Sequence, residues 1–217
     1  MDIEGPALES LLRSARKQIR ARMMALRAAV PAAARVKRDE AIMTRLRGLP
    51  EVQRARSIAL FVPMAEKAEI DLRPLDAAWR AEGRGIFYPR LSDAAREAGR
   101  APSLNGELAP ASLAELVESN AGFLEPPASA RPASRGDVDL VVVPALAVSG
   151  TGHRLGYGAG FYDRVLPVYR PPALAVAVAY DFQLLAELPV FDWDIACDIV
   201  VTDRRTLRVE ASSESGA

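Results

Sequence analysis

Between residues 152 and 163 the chain gathers groups that could handle an anion. Glycines stand at positions 152, 156, 158 and 160, with Arg154, Leu155, Tyr157, Ala159, Phe161, Tyr162 and Asp163 among them. Glycine lets backbone N–H groups approach a ligand without a Cβ in the way. A helix starting at Phe161 would add free N–H donors and the positive end of its dipole. Arg154 can grip phosphate oxygens in bidentate fashion. Tyr157, Phe161 and Tyr162 offer flat faces for a ring. The spacing Gly156-x-Gly158-x-Gly160 is not G-x-G-x-x-G, and no Gly-Lys-Ser/Thr follows, so neither a dinucleotide fingerprint nor a Walker A loop is present. From spacing alone the segment is a phosphate cradle or a tight strand-to-helix connection.

Other chemistry-bearing residues lie far off in sequence. Lys17 and Arg20 are three apart on a basic stretch, where helical neighbours share a side; by itself such a pair reads as a solvated face. Glu69 follows an apolar run ending at Val62, with Glu66 and Asp71 as competing carboxylates. Asp163 sits just past the loop, and Asp192, Asp194 and Asp198 precede or open the last main strand; carboxylates are hard-oxygen groups of the kind Mg²⁺ takes one or two at a time, beside phosphates and water. His153 is the single histidine and Cys197 the single cysteine. No Ser–His or Cys–His pattern suggests a covalent nucleophile.

The elements that must position these groups follow from periodicity. Residues 7–29 predict a helix with Leu8, Leu12, Ala15, Ile19, Met23 and Leu26 on one buried stripe. At about 100° per residue, Lys17 and Arg20 then point away from that stripe. Pro31 opens a second helix to about residue 46. Residues 57–62 predict a buried strand, 71–81 a helix, and 85–88 a strand stopped by Pro89. That is a β-α-β unit, the building block of parallel sheets. An edge strand is expected at 104–108 and a short helix at 113–118. Residues 138–143, 173–179 and 198–202 predict further strands, and 160–168 a helix. The expected fold is α/β: a single three-layer αβα domain over residues 1–210 with a mostly parallel central sheet, followed by a disordered tail at 211–217.

With 217 residues and half of them hydrophobic, the chain can bury a sizeable core. Basic and acidic residues balance at 28 each, so net charge gives no reason to expect nucleic acid or an anionic membrane as partner. One cysteine excludes an intramolecular disulfide. No run reaches about 18 apolar residues, and no signal peptide is apparent. A cytoplasmic monomer is expected.

Gly152-x-Arg154-Leu155-Gly156-Tyr157-Gly158-x-Gly160-Phe161-Tyr162-Asp163 resembles the signature of the 5-formyltetrahydrofolate cyclo-ligase family. The likeness extends in order from about residue 16 to 203. It implies ATP- and Mg²⁺-dependent closure of 5-formyltetrahydrofolate to 5,10-methenyltetrahydrofolate. It also implies roles. Lys17 (from Lys17-Gln18-Ile19-Arg20), Arg20 and residues 154–162 would bind ATP, with Lys17 and Arg154 catalytic. Val62, Glu69 and residues 157–161 would face the folate. Asp163 and Asp194 would hold Mg²⁺. His153 falls at a variable position and gets no role. Val148-Ser149 departs from a common Phe-Asp, and Trp193 from a small polar residue or histidine. Two rivals stand beside this reading: a non-catalytic nucleotide- or folate-binding relative, for which Ser149 is the support, and a sugar-phosphate enzyme on a similar scaffold.

Overall fold

The computed structural model describes residues 5–91, 106–119 and 122–209. The expected strand at 104–108 and the tail at 211–217 therefore fall partly or wholly outside the described residues. Three helices come first: α1 (Gly5–Ala28), α2 (Ala32–Gly48) and the short α3 (Pro50–Arg54). Then follow β1 (Ser57–Ala59), α4 (Arg73–Ala81), β2 (Gly85–Leu91) and β3 (Gly106–Pro110). A small ribbon of β4 (Val117–Glu118) and β5 (Leu124–Glu125) precedes β6 (Leu140–Pro144), β7 (Ala147–Ser149) and β8 (Arg154–Leu155). The chain closes with α5 (Phe161–Tyr169), β9 (Leu174–Val178), β10 (Leu184–Leu185), β11 (Ile199–Val201) and β12 (Thr206–Arg208).

Seven strands form the main sheet in the order β12-β11-β9-β6-β1-β2-β3. The five central strands are parallel, and β12 and β3 add antiparallel edges. Each central strand buries both faces, with alternate residues in separate cores. Ile58, Leu140, Val142, Val176 and Val178 pack under Ile42, Leu46, Val52, Leu75 and Trp79 of α2, α3 and α4. Ala59, Val141, Val143, Ala175 and Ala177 meet Val165, Leu166 and Tyr169 of α5. Burying one such valine contributes ~1.5–3 kcal/mol, so these apolar runs commit the chain to a covered parallel sheet. The alanines on the α5 side let that helix sit close.

Two expectations change. Pro89 does not stop β2, which continues to Leu91. The last β1 partner of β2 is Phe87. Beyond it β1 no longer pairs with β2, and a proline is tolerated there. The segment at 113–118 is a 3₁₀ turn, Leu113–Glu115, followed by β4.

A second sheet, β10-β7-β8, was not visible in the periodicity because its strands have two or three residues. Helix α1 packs on it through Met23 and Ile19, against Leu146, Ala147 and Leu155. Among the described residues no helix is long and apolar enough to cross a membrane.

Candidate active site

Reading the parallel strands in chain order as first to fifth, the sheet runs second-first-third-fourth-fifth. The order reverses between β1 and β6. In doubly wound sheets ligands bind outside the carboxyl ends of the strands at that reversal. A cavity of about 860 Å³ opens there. Phe61, Val62 and Met64 lead from β1 into it, Pro89 of β2 lines it, and Pro144, Ala145 and Leu146 follow from the end of β6. Its size is near the upper end of the ~300–1,000 Å³ usual for small-molecule sites. Six basic side chains line it (Arg13, Arg16, Arg20, Lys67, Arg154, Arg164) against three carboxylates (Glu69, Asp163, Asp194), an excess of positive charge that suits a polyanion.

The glycine loop forms one wall, with Gly156, Tyr157, Gly158, Ala159 and Gly160 all lining the cavity. Gly158 has φ +109° and Gly160 φ +64°, a region that a side chain makes costly. Gly160 is the N-cap of α5, so the helix start faces the same space. Arg20 ties the loop down: its Nε donates to the Gly156 carbonyl at 2.9 Å, and its guanidinium lies 3.5 Å from where a Cβ on Gly158 would stand. No described residue accepts from its Nη groups, which leaves them for a ligand. Burial, and next the neighbouring charge of Arg16, hold the Arg20 pKa below its ordinary value.

Arg16 lies one turn earlier and grips Asp194 with two bonds, Nη1 to Oδ2 at 2.8 Å and Nη2 to Oδ1 at 3.1 Å. Its Nε is buried without a hydrogen-bond partner. The inward face of α1 is thus not the aliphatic stripe expected. Arg16, Met23 and Arg27 are buried, while Leu8 and Leu26 are 45% and 41% exposed. The buried face is turned by roughly 70° toward the arginines. The reason is position: α1 lies along the cavity edge, where carboxylates and carbonyls can satisfy guanidinium groups. Lys17 needs the matching correction. It is exposed and does not line the cavity. Its neighbour Arg16, about 100° round the helix, takes the inward place beside Arg20.

The two predicted metal carboxylates, Asp163 and Asp194, share the cavity, and Asp163 Oδ1 accepts from the N–H of Ile195, the residue after Asp194, at 3.4 Å. Arg154 binds both sides of this junction, with Nη2 on Asp163 Oδ1 at 2.9 Å and Nη1 on the Ile195 carbonyl. Arg154 therefore anchors the glycine loop to the aspartate pair instead of presenting free donors. Asp163 Oδ2 accepts no hydrogen bond from a described residue. Asp194 Oδ2 also accepts from Phe191 N–H at 2.8 Å. Among the described residues no three acidic, histidine or cysteine side chains converge into a metal cage. The donor set is two carboxylates in a cationic cavity, which fits Mg²⁺ bound jointly with phosphate oxygens.

The opposite end is built around Glu69. A 3₁₀ turn, Ala65–Lys67, ends at Ala68 in the left-handed region, φ 50°, and this turns Glu69 inward. Glu69 Oε2 accepts from Met64 N–H at 2.8 Å. Burial raises its carboxyl above the usual range, opposed by that bond and by Arg27. Arg27 donates to the Tyr157 hydroxyl and, at 2.8 Å, to the Lys67 carbonyl. Tyr157 and Glu69 line the same cavity. Lys67 Nζ lies 4.5 Å from the centre of the Tyr157 ring. Burial, then the Glu69 charge, push the Tyr157 and Tyr162 phenols upward, so both stay protonated donors. Phe161 lines the cavity with its ring edge against Tyr162, centroids 5.3 Å apart. Its position needs Gly106, because a Cβ there would come within 2.1 Å of the ring.

Two further placements differ from expectation. Leu155 is core, paired in β8 with Ala147, so its side chain does not reach a cofactor. Ser149 is buried away from the cavity. Its hydroxyl lies 2.7 Å from that of Thr151 and its N–H donates to the His153 carbonyl at 3.0 Å. It braces the turn that launches the glycine loop. The residues missed from sequence are Arg16, Arg27, Phe191 and Trp193. The excess of arginine on α1 was the available signal for the first two.

The site thus sits at the strand reversal of a doubly wound α/β domain, where a glycine-rich loop, a helix start and two aspartates line one cavity. The model of the 5-formyltetrahydrofolate cyclo-ligase family matches residues 13–203, and the chain belongs to that family. It is similar to the 5-formyltetrahydrofolate cyclo-ligase of Mycolicibacterium smegmatis, 35% identical over 192 residues covering 88% of this chain and 94% of the relative. The Escherichia coli K12 cyclo-ligase is 35% identical over 164 residues, 73% of this chain and 84% of its own. The solved structure of Aquifex aeolicus 5,10-methenyltetrahydrofolate synthetase superposes with TM-score 0.76 at 28% identity, covering 93% of this chain and 96% of the other.

Proposed function

We propose that this protein closes 5-formyltetrahydrofolate to 5,10-methenyltetrahydrofolate at the expense of ATP, releasing ADP and phosphate. The observation that carries the reading is the single cavity in which the glycine loop, Arg20 and both aspartates line one wall and Glu69 and Tyr157 another. One chamber can then hold a phosphoryl donor and a folate side by side. The formyl oxygen attacks the γ-phosphorus and ADP departs. The neighbouring folate N–H nitrogen attacks the activated carbon, loses its proton, and the carbon–oxygen bond breaks to release phosphate. An amide-like oxygen is a poor leaving group, and phosphate is a good one. The protein's task is positioning and charge neutralisation.

The 156–160 amides and Arg20 would bind the phosphates, joined by Arg16 when it leaves Asp194. Arg154 would hold loop and acids in register. Phe161 and Val62 would pack the folate, Tyr157 and Glu69 would bind its polar ring edge, and Tyr162 would back the loop. Asp163, through its open oxygen, and Asp194 would hold Mg²⁺, which when bound offsets phosphate charge. Ser149 lies outside the cavity, so the departure that favoured a non-catalytic relative does not touch the site. Cys197 is buried and unpaired, which suits a reducing cytoplasm.

The test mixes purified protein, ATP, Mg²⁺ and 5-formyltetrahydrofolate and follows the methenyl product and ADP. Folate-dependent ADP release with product supports the reading. Binding of both ligands without product, or ADP release indifferent to folate, rejects it.

A further inference from the structure

Helix α1 runs the length of the cavity and measures it. Arg13 and Arg16 reach one end, where their guanidinium carbons lie 5.4 and 4.8 Å from the centre of the Phe191 ring. Arg20 sits over the glycine loop. Arg27 reaches the far end, at Tyr157. With about 1.5 Å of rise per residue, Arg16 and Arg27 are roughly 16 Å apart along the axis. The phosphate cradle is therefore in the middle, the Glu69 carboxylate at one end, and an aromatic shelf at the other.

That shelf has no part in the chemistry derived above. Phe191 and Trp193 stack with centroids 4.6 Å apart and planes inclined by 14°. Both line the cavity, yet Trp193 is 56% exposed, although an indole is costly to leave in water. Phe191 is half-buried, with Arg13 and Arg16 over its ring, so most of the open surface of the pair belongs to Trp193. Of the two carboxylates that flank Trp193, Asp192 does not line the cavity, and Asp194 has both oxygens engaged by Arg16. A ring that needs a carboxylate to read its donors finds one at the Glu69 end. A ring bound chiefly through its flat face finds its surface here.

We infer that Trp193, backed by Phe191, is the stacking platform for the purine base of the nucleotide, which places base, phosphates and folate in that order along α1. The inference rests on the nucleotide reading of the cavity and adds the direction in which the nucleotide lies. Trp193 is a positioning residue; it does not touch the reacting atoms.

The chain has two tryptophans, and the other, Trp79, is 1% exposed, so a Trp79→Phe variant reports on Trp193 alone. ADP with Mg²⁺ should change the emission of that variant, whereas inorganic tripolyphosphate, which has the charge but no base, should leave it unchanged. By calorimetry Trp193→Ala should weaken ADP about tenfold, leave tripolyphosphate within twofold, and be largely rescued by Trp193→Phe. Should Trp79→Phe not fold, the calorimetric series decides alone. Equal ADP affinity in wild type and Trp193→Ala overturns the platform while leaving the nucleotide site standing. A loss confined to 5-formyltetrahydrofolate overturns the assignment to the base. Absence of ADP binding to the wild-type protein overturns the nucleotide reading and the platform together.

Discussion

Arg16 and Asp194, 178 residues apart in sequence, form a two-bond ion pair on the cavity wall, with side chains 10% and 6% exposed. The pair joins the first helix to the segment before β11 and holds a proposed metal ligand against a proposed phosphate ligand. Breaking one side strands a buried charge, at a cost of ~3–5 kcal/mol. Arg16→Ala should lower the unfolding free energy by about 3 kcal/mol in urea titrations. Adding Asp194→Ala to it should cost less than the sum of the single changes, since the stranded carboxylate is gone. Strict additivity would show that the two groups do not interact.

Lys17 and Arg20 separate cleanly. Lys17 is exposed, while Arg20 has Nη donors open to the cavity. Lys17→Ala should leave the ADP dissociation constant within about twofold, as surface charges contribute little. Arg20→Ala should raise it about tenfold or more, the worth of one charge-assisted hydrogen bond. Titration calorimetry checks both, and an equal loss in the two variants would return Lys17 to the site.

Gly106 and Phe161 share one space. A methyl group at 106 would meet the Phe161 ring at 2.1 Å, well inside contact distance, and overpacking of this kind costs ~1–3 kcal/mol. Gly106→Ala should destabilise the protein and weaken folate binding by displacing the ring. Stability should recover in part in Gly106→Ala/Phe161→Leu, and a thermal shift series over the single and double variants tests this.

Asp39 sets a pH dependence remote from the cavity. It accepts from the Tyr180 hydroxyl at 2.8 Å, and burial pushes its carboxyl up from 3.8 to about 6. Between those values the folded state binds more protons than the unfolded chain. Its contribution is therefore fully present below pH 3.8, is lost as pH rises through about 6, and is flat beyond. Asp39→Asn should flatten that part of the stability profile. Melting temperatures of both proteins from pH 4 to 8 give the comparison; parallel curves would exclude Asp39 as the source.

Much of this was legible in one dimension. The strands at 138–143 and 173–179 were plain because a strand buried on both faces must be apolar throughout. The glycine loop was plain because φ values such as that of Gly158 demand glycine. Pro89 misled because a proline usually ends a strand, and only the sheet shows that β1 has already stopped pairing there. Lys17 misled because a pattern of cations does not say which side of a helix faces inward.

The sequence by itself determined a covered parallel sheet, a glycine-rich loop opening a helix, and the family to which the chain belongs. These depend on local backbone preference and on which residues avoid water, and both are written residue by residue. Tertiary structure decided which arginines of α1 turn inward, that Asp163 and Asp194 share the cavity, and that Phe191 and Trp193 form the end wall of the cavity. Those are relations between segments distant in sequence or between neighbours without periodic signal. Long-range packing sets them, and no local propensity encodes it.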